Sequence, residues 1–166
     1  MTAGPRIRPA TTGDADGIWQ LVRDFATSFT PDREAFAVIL PALLDRDDVL
    51  VLVAESLVAE SLVAETGGDV VGYLLAALHP TFFANGPVAG VQEVMVAPAH
   101  RRTGVGAALM AEAEHWADAR GAGYVSLASR RAGDFYAALG YEDSATFYKK
   151  AATEPSAAQQ PPRGSS

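Results

Sequence analysis

The stretch Val91–Gly106, VQEVMVAPAHRRTGVG, constrains the fold more than any other part of the chain. Val91, Val94, Met95 and Val96 are rich in β-branched side chains and stop short of Pro98, which predicts a strand. From about Gly104 to Arg120, Val105, Leu109, Ala113 and Trp116 recur near helical spacing, and Gly121 stands where a helix-ending glycine belongs. A sharp polar loop must join the two elements. It contains Arg101, Arg102, Thr103 and Gly104, with Val105 and Gly106 behind them. Glycines at 104 and 106 remove side chains where a bulky ligand could approach the backbone. The first turn of a helix leaves N–H groups without partners and carries the positive end of the helix dipole. With two arginines beside it, this junction is suited to an anion such as a pyrophosphate.

The dinucleotide pattern GxGxxG fails here because position 109 is Leu, and no GK[ST] follows for a triphosphate loop. What remains is Arg-x-x-Gly-x-Gly, Arg101 to Gly106, after a strand that ends in Val-x-Pro. On these residues the chain resembles the GNAT superfamily of acyl-CoA-dependent N-acyltransferases, whose pyrophosphate loop reads Gln/Arg-x-x-Gly-x-Gly/Ala. A second run, Ala132–Tyr141 (AGDFYAALGY), is similar to that family's Ala-x-x-Phe/Leu-Tyr-x-x-x-Gly-Phe/Tyr. The resemblance covers about residues 5–150. It implies an α/β (α+β) fold: a central, mixed, mostly antiparallel twisted sheet of roughly six to seven strands, flanked by about four helices. It also implies a splay between the strands of Val91–Val96 and Tyr124–Ala128, where a pantetheine arm inserts.

The resemblance further implies roles. Backbone groups at Val94, Met95 and Val96 hold the pantetheine and polarise the thioester carbonyl. Arg101, Arg102, Thr103, Gly104, Val105, Gly106 and Ala107 hold the pyrophosphate, mainly through N–H groups. Tyr136 matches the tyrosine that protonates the leaving thiolate, although its spacing alone also fits a packed helix aromatic. Ser129 stands where the family often has a cofactor-contacting Asn, and its hydroxyl has a shorter reach. An ammonium has no lone pair, so a base is needed. Glu93 is the candidate, sharing a strand face with Val91 and Met95 if no bulge intervenes. A carboxylate between Val and Met has reason to titrate high; a surface or hairpin-edge glutamate is the alternative. The implied reaction is direct transfer of an acetyl group from acetyl-CoA to a primary amine. A non-catalytic CoA-binding module is the competing reading.

Composition agrees. A chain of 166 residues with 49% hydrophobic residues can bury a core. Residues 1–150 read as one domain, and 151–166, rich in Pro, Ser and Gln, as a disordered tail. The net charge of −7 argues against nucleic acid as a partner. No apolar run approaches a membrane span and no signal segment is evident, so the expected location is cytoplasmic with no membrane contact. Without cysteine there are no thiolate ligands, and the lone Glu112-x-x-His115 lacks the repeats a carboxylate-bridged site needs, so no metal is expected. A homodimer is the default expectation.

The rest of the chain reads as follows. Arg6–Arg8 alternates as a first strand, and Thr11 to Asp14 offers helix-capping residues. Ile18, Leu21, Val22, Phe25 and Phe29 form an apolar helical stripe. A second helix starts at Pro31 and should kink or end at Pro41. In the family these helices border the acceptor site, so Trp19, Phe25 and Phe29 are candidate contacts, with core packing the commoner role of such residues. Residues 52–66 repeat a five-residue unit, LVAES LVAES LVAET. Neither strand nor helix keeps one apolar face through all copies, because five residues matches neither period. The turn at Gly67-Gly68 suggests that Leu62–Glu65 is the copy paired with Val70–Leu75. His79–Pro87 reads as a loop carrying Phe82 and Phe83. Further strands are expected at Tyr124–Ala128 and Tyr141–Lys149, with a short helix from Arg131 to Leu139.

Overall fold

The computed structural model describes residues 4–25, 29–56 and 69–152. These fall into two compact units, divided after Arg130. The first holds a five-stranded sheet in simple sequence order: β1 (Arg6–Pro9), β2 (Val49–Glu55), β3 (Val70–Pro80), β4 (Pro87–Val96) and β5 (Val125–Leu127). Neighbouring strands from β1 to β4 run antiparallel, and β5 lies parallel to β4. The expected mixed, mostly antiparallel sheet is present, with five strands among the described residues where six to seven were expected.

Helices cover both faces of this sheet. α1 (Ala15–Phe25) and α2 (Arg33–Leu44) pack Ile18, Leu21 and Leu40 against Val51, Val53, Tyr73 and Met95. α3 (Val105–Ala119) buries Val105, Leu109, Met110, Ala113 and Trp116. It approaches the sheet so closely at Gly72 that a Cβ there would stand 3.2 Å from Val105 and 3.3 Å from Leu109. A strand glycine that admits a helix this way gives up strand propensity for close packing.

Asp32 caps α2, its carboxylate accepting from the Ala35 N–H at 2.8 Å, so the helix starts two residues after Pro31. Pro41 does not end it. It sits in the last turn, and the helix runs on to Leu44.

The repeat resolves against expectation. Leu52 pairs with Leu74, Val53 with Tyr73, Ala54 with Gly72 and Glu55 with Val70. The first copy, Leu52–Glu55, is therefore the partner of β3, and the expected pairing of Leu62–Glu65 is overturned; that copy and the Gly67-Gly68 turn lie outside the described residues. The reason is tertiary. Val49–Val51, which no other copy has before it, continues the same buried strand. Glu55, only 3% exposed, is anchored by Arg8 of β1, whose Nε donates to its Oε1 at 2.7 Å.

Two smaller corrections concern the rest of the fold. The loop expected at His79–Pro87 is shorter, because His79 and Pro80 pair with Val88 and Pro87 in a continued hairpin. Phe82 and Phe83 at its tip are exposed, and Phe83 meets the ring of Tyr124 at 6.4 Å. The strand expected at Tyr141–Lys149 does not form, since residues 141–150 have no regular structure and Phe147 and Tyr148 are exposed. The second unit contains one helix among its described residues, α4 (Gly133–Ala138). The tail predicted at 151–166 lies outside the described residues beyond Ala152.

Candidate active site

Two features of β4 create the site. Pairing with β5 stops at Val91–Leu127, while β4 continues to Val96. From Gln92 onward its β5-side edge has no strand opposite it among the described residues. Backbone N–H and C=O groups at such an edge need a partner. Val94, Met95 and Val96 occupy this splayed end.

The second feature is a bulge. Leu75 pairs with Glu93 but Ala76 pairs with Val91, so Gln92 is an extra residue on β4. A bulge of this kind shifts the facing of everything beyond it. Val91 consequently shares the α3 face with Ala76, and Glu93 shares the opposite face with Leu75. The expected common face of Val91, Glu93 and Met95 is thus broken at Val91, while Glu93 and Met95 remain together.

Glu93 ends up in a cavity of about 230 Å³ between α1, α2 and the sheet. Ile18, Trp19, Val22, Phe36, Leu40 and Leu75 supply much of its wall. Burial pushes the Glu93 carboxyl above the usual carboxylate range, and a hydrogen bond from the Tyr73 hydroxyl to its Oε2, at 3.0 Å, partly opposes that shift. Tyr73 itself is pushed well up by burial and by the neighbouring carboxylate, so it stays a donor at neutral pH. Sequence reading missed Tyr73. Its register opposite Met95, which places it beside Glu93, depends on the bulge and has no local signature. Of the aromatic candidates, Trp19 lines the cavity and packs on Phe36 at 5.4 Å, with the Arg33 guanidinium over both rings. Phe25 and Phe29 are exposed and are not part of its wall.

The junction from β4 to α3 keeps its polar character in three dimensions. Arg102 adopts a left-handed conformation with φ of 61°, and Gly104 does so with φ of 89° as the residue capping α3. No side chain caps this helix. The first intrahelical bond in the turn runs from Ala108 N–H to the Gly104 carbonyl. The N–H groups of Val105, Gly106 and Ala107 therefore lack helical partners, as the first turn requires. Arg101 folds back, its Nε donating to the Val96 carbonyl at 3.0 Å. Its charge is held at the strand end, against the Val96 carbonyl and the Met95 sulfur. Thr103 donates from its hydroxyl to the His100 carbonyl.

Gly104 is where this backbone is most specific. A Cβ there meets nothing within 4 Å, so Gly104→Ala adds strain without a clash. The expected result is a loss of about 1–2 kcal/mol in urea unfolding, from the left-handed conformation alone.

Ser129 lies just beyond β5 and is exposed. In the second unit, Tyr136 sits on α4 with its ring edge-on to Phe135 at 5.0 Å and to Tyr141 at 5.9 Å. Burial raises its pKa, which keeps the phenol protonated at neutral pH. Among the described residues no cluster of His, Asp and Glu could hold a metal ion, and no helix is long and apolar enough to cross a membrane.

Residues 18–141 match the Acetyltransferase (GNAT) family. That span covers most of the chain and both motif regions, and the chain belongs to this family. It is an acetyl-CoA-dependent acyltransferase by that membership. No curated protein sequence matches it. Solved structures with a similar fold include glucosamine-6-phosphate N-acetyltransferase from Arabidopsis thaliana, at 18% identity and a TM-score of 0.75, covering 90% of this chain and 99% of that one. A transcriptional regulator from Bacillus halodurans C-125 is similar at 21% identity and a TM-score of 0.73, covering 89% and 99%. The aminoglycoside N-acetyltransferase AAC(6')-Iy, solved in complex with CoA, is similar at 18% identity and a TM-score of 0.71, covering 90% and 98%.

Proposed function

We propose that this chain transfers the acetyl group of acetyl-CoA to a primary amine held in the cavity beside Glu93. The observation that carries this reading is the half-buried carboxylate of Glu93 at the splayed end of β4, on the strand that leads into the uncapped start of α3. The chain's groups fit the co-substrate: three helix N–H groups and Arg102 suit a pyrophosphate, and the open edge at Val94–Val96 suits an amide-bearing pantetheine arm. Acetyl-CoA supplies an activated thioester. Glu93 accepts a proton from the amine, directly or through water, as the new C–N bond forms. Tyr136 gives a proton to the sulfur as the C–S bond breaks, and Ser129 is an additional contact to the co-substrate. Much of the rate comes from holding the two reactants together.

Measuring CoA thiol release with acetyl-CoA and a panel of primary amines tests this reading. Acetylated amine identified by mass spectrometry supports it. Acetyl-CoA binding without turnover by any amine favours the non-catalytic module. Two variants refine the roles. Tyr136→Phe is expected to lower kcat by about 10²-fold, the lower end of general-acid contributions, with acetyl-CoA affinity held. Tyr73→Phe removes the bond that favours ionised Glu93, so the acid limb of the kcat/KM profile should move to higher pH. An unmoved limb would separate Glu93 from the titration.

A further inference from the structure

We infer that the acceptor is a small primary amine with an apolar body, its nitrogen against Glu93 and its body between α1 and α2. The inference rests on the proposed acyl transfer for the role of Glu93, but the ligand class comes from the cavity wall itself. Among the described residues that line it, the charged groups are Glu93 and Asp32, and none is cationic. Asp32 is exposed at the start of α2 and is already engaged in capping the helix. That leaves one carboxylate inside, which suits one ammonium. The helices add Ile18, Val22, Phe36 and Leu40 with the indole of Trp19 to the wall, and Leu75 stands beside Glu93 on the neighbouring strand. Arg33 is ion-paired to Asp16 and lies over the Trp19 and Phe36 rings, and it is not among the residues that line the cavity.

This wall discriminates between classes of amine. A phosphorylated amino sugar would bring an anion to a cavity with no cation in its lining. A polyamine or aminoglycoside would leave most of its polar groups without partners, and burying such groups unpaired is costly. An aryl or alkyl monoamine has one charge for Glu93 and apolar surface for the rest, and burial of that surface is favourable in proportion to its area.

The test uses the full chain with acetyl-CoA and three acceptors: 2-phenylethylamine, spermidine and glucosamine 6-phosphate. The expected kcat/KM for 2-phenylethylamine exceeds the others by at least roughly 30-fold, the equivalent of burying one phenyl group. A second readout does not depend on turnover. With free CoA present, 2-phenylethylamine should change Trp19 emission saturably, and Trp19→Phe should abolish the change. Ala35→Phe, on an exposed helix position that lines the cavity, should raise KM for 2-phenylethylamine about 10-fold by filling space. Preference for either polar amine, or no emission change while CoA binds, overturns the inference. An emission change without thiol release upholds the ligand class and overturns the acyl-transfer reading.

Discussion

Glu93→Gln is expected to lower kcat by about 10²–10⁴-fold while leaving the melting temperature at pH 7 equal to or above that of the parent chain. The two halves of this result have one cause. Burial raises the Glu93 pKa in the folded state, which makes the carboxylate a better base near neutral pH than an exposed glutamate. The same shift costs stability. A group whose folded pKa is raised favours the folded state fully below its unfolded value, and that advantage is lost as pH rises through the folded value. When Glu93 is ionised, the parent chain therefore carries a half-buried charge that Gln does not. The amide oxygen can still accept from the Tyr73 hydroxyl, so the local hydrogen bond survives. Activity and thermal stability should move in opposite directions. A joint fall in both would mark Glu93 as a structural residue and not a base.

Arg8→Met is expected to cost about 3 kcal/mol, a fall in melting temperature of roughly 6–12 °C in scanning calorimetry. Arg8 holds two buried carboxylates. Its guanidinium donates to both oxygens of Asp14, at 2.7 and 2.8 Å, and to Glu55 at 2.7 Å. Asp14 is 7% exposed and Glu55 3%. Removing the cation leaves both charges without their main partner, the case in which a buried pair is most destabilising. The lower end of the usual range applies because the Arg8 side chain is 24% exposed and partly screened. Arg6, 63% exposed and 3.9 Å from Glu55, cannot replace it, and Arg6→Met should change stability by less than about 1 kcal/mol. The pH dependence follows from Asp14. Its hydrogen bonds with Arg8 hold its pKa below the usual value, so its contribution is present above the unfolded pKa and fades as pH falls through the folded one. The gap between parent and variant should therefore narrow in acid.

That cluster also explains why the hairpin register was not legible in the sequence. The three LVAE copies offer identical local side chains, so propensity and turn chemistry cannot rank them. The choice is made by residues distant in sequence: Arg8 seeking a carboxylate on the neighbouring strand, and Val49–Val51 extending the buried run before one copy only. The junction between β4 and α3 was legible for the opposite reason. Its signals are local, since Gly104 must turn left-handed, Pro98 ends the strand, and the α3 apolar stripe follows at helical spacing. The bulge at Gln92 lies between these extremes. One extra residue leaves no pattern in sequence, yet it decides that Glu93 faces the helical cavity with Leu75 while Val91 faces α3. The chemistry of Glu93 was readable from its type and neighbours, and its partner Tyr73 was not, because that contact exists only once two strands have aligned. Tyr141–Lys149 misled because Tyr, Phe and Tyr in a short run have high strand propensity, but Phe147 and Tyr148 find no buried face and no strand forms.

The measurement that bears most directly on the whole account is isothermal titration of the chain with acetyl-CoA, with free CoA as comparator. The splayed end of β4 and the uncapped start of α3 predict micromolar binding of both. No heat and no competition from either, in a chain shown to be folded by its thermal transition, would contradict the assignment of Arg101 to Ala107 as a pyrophosphate site and the function built on it.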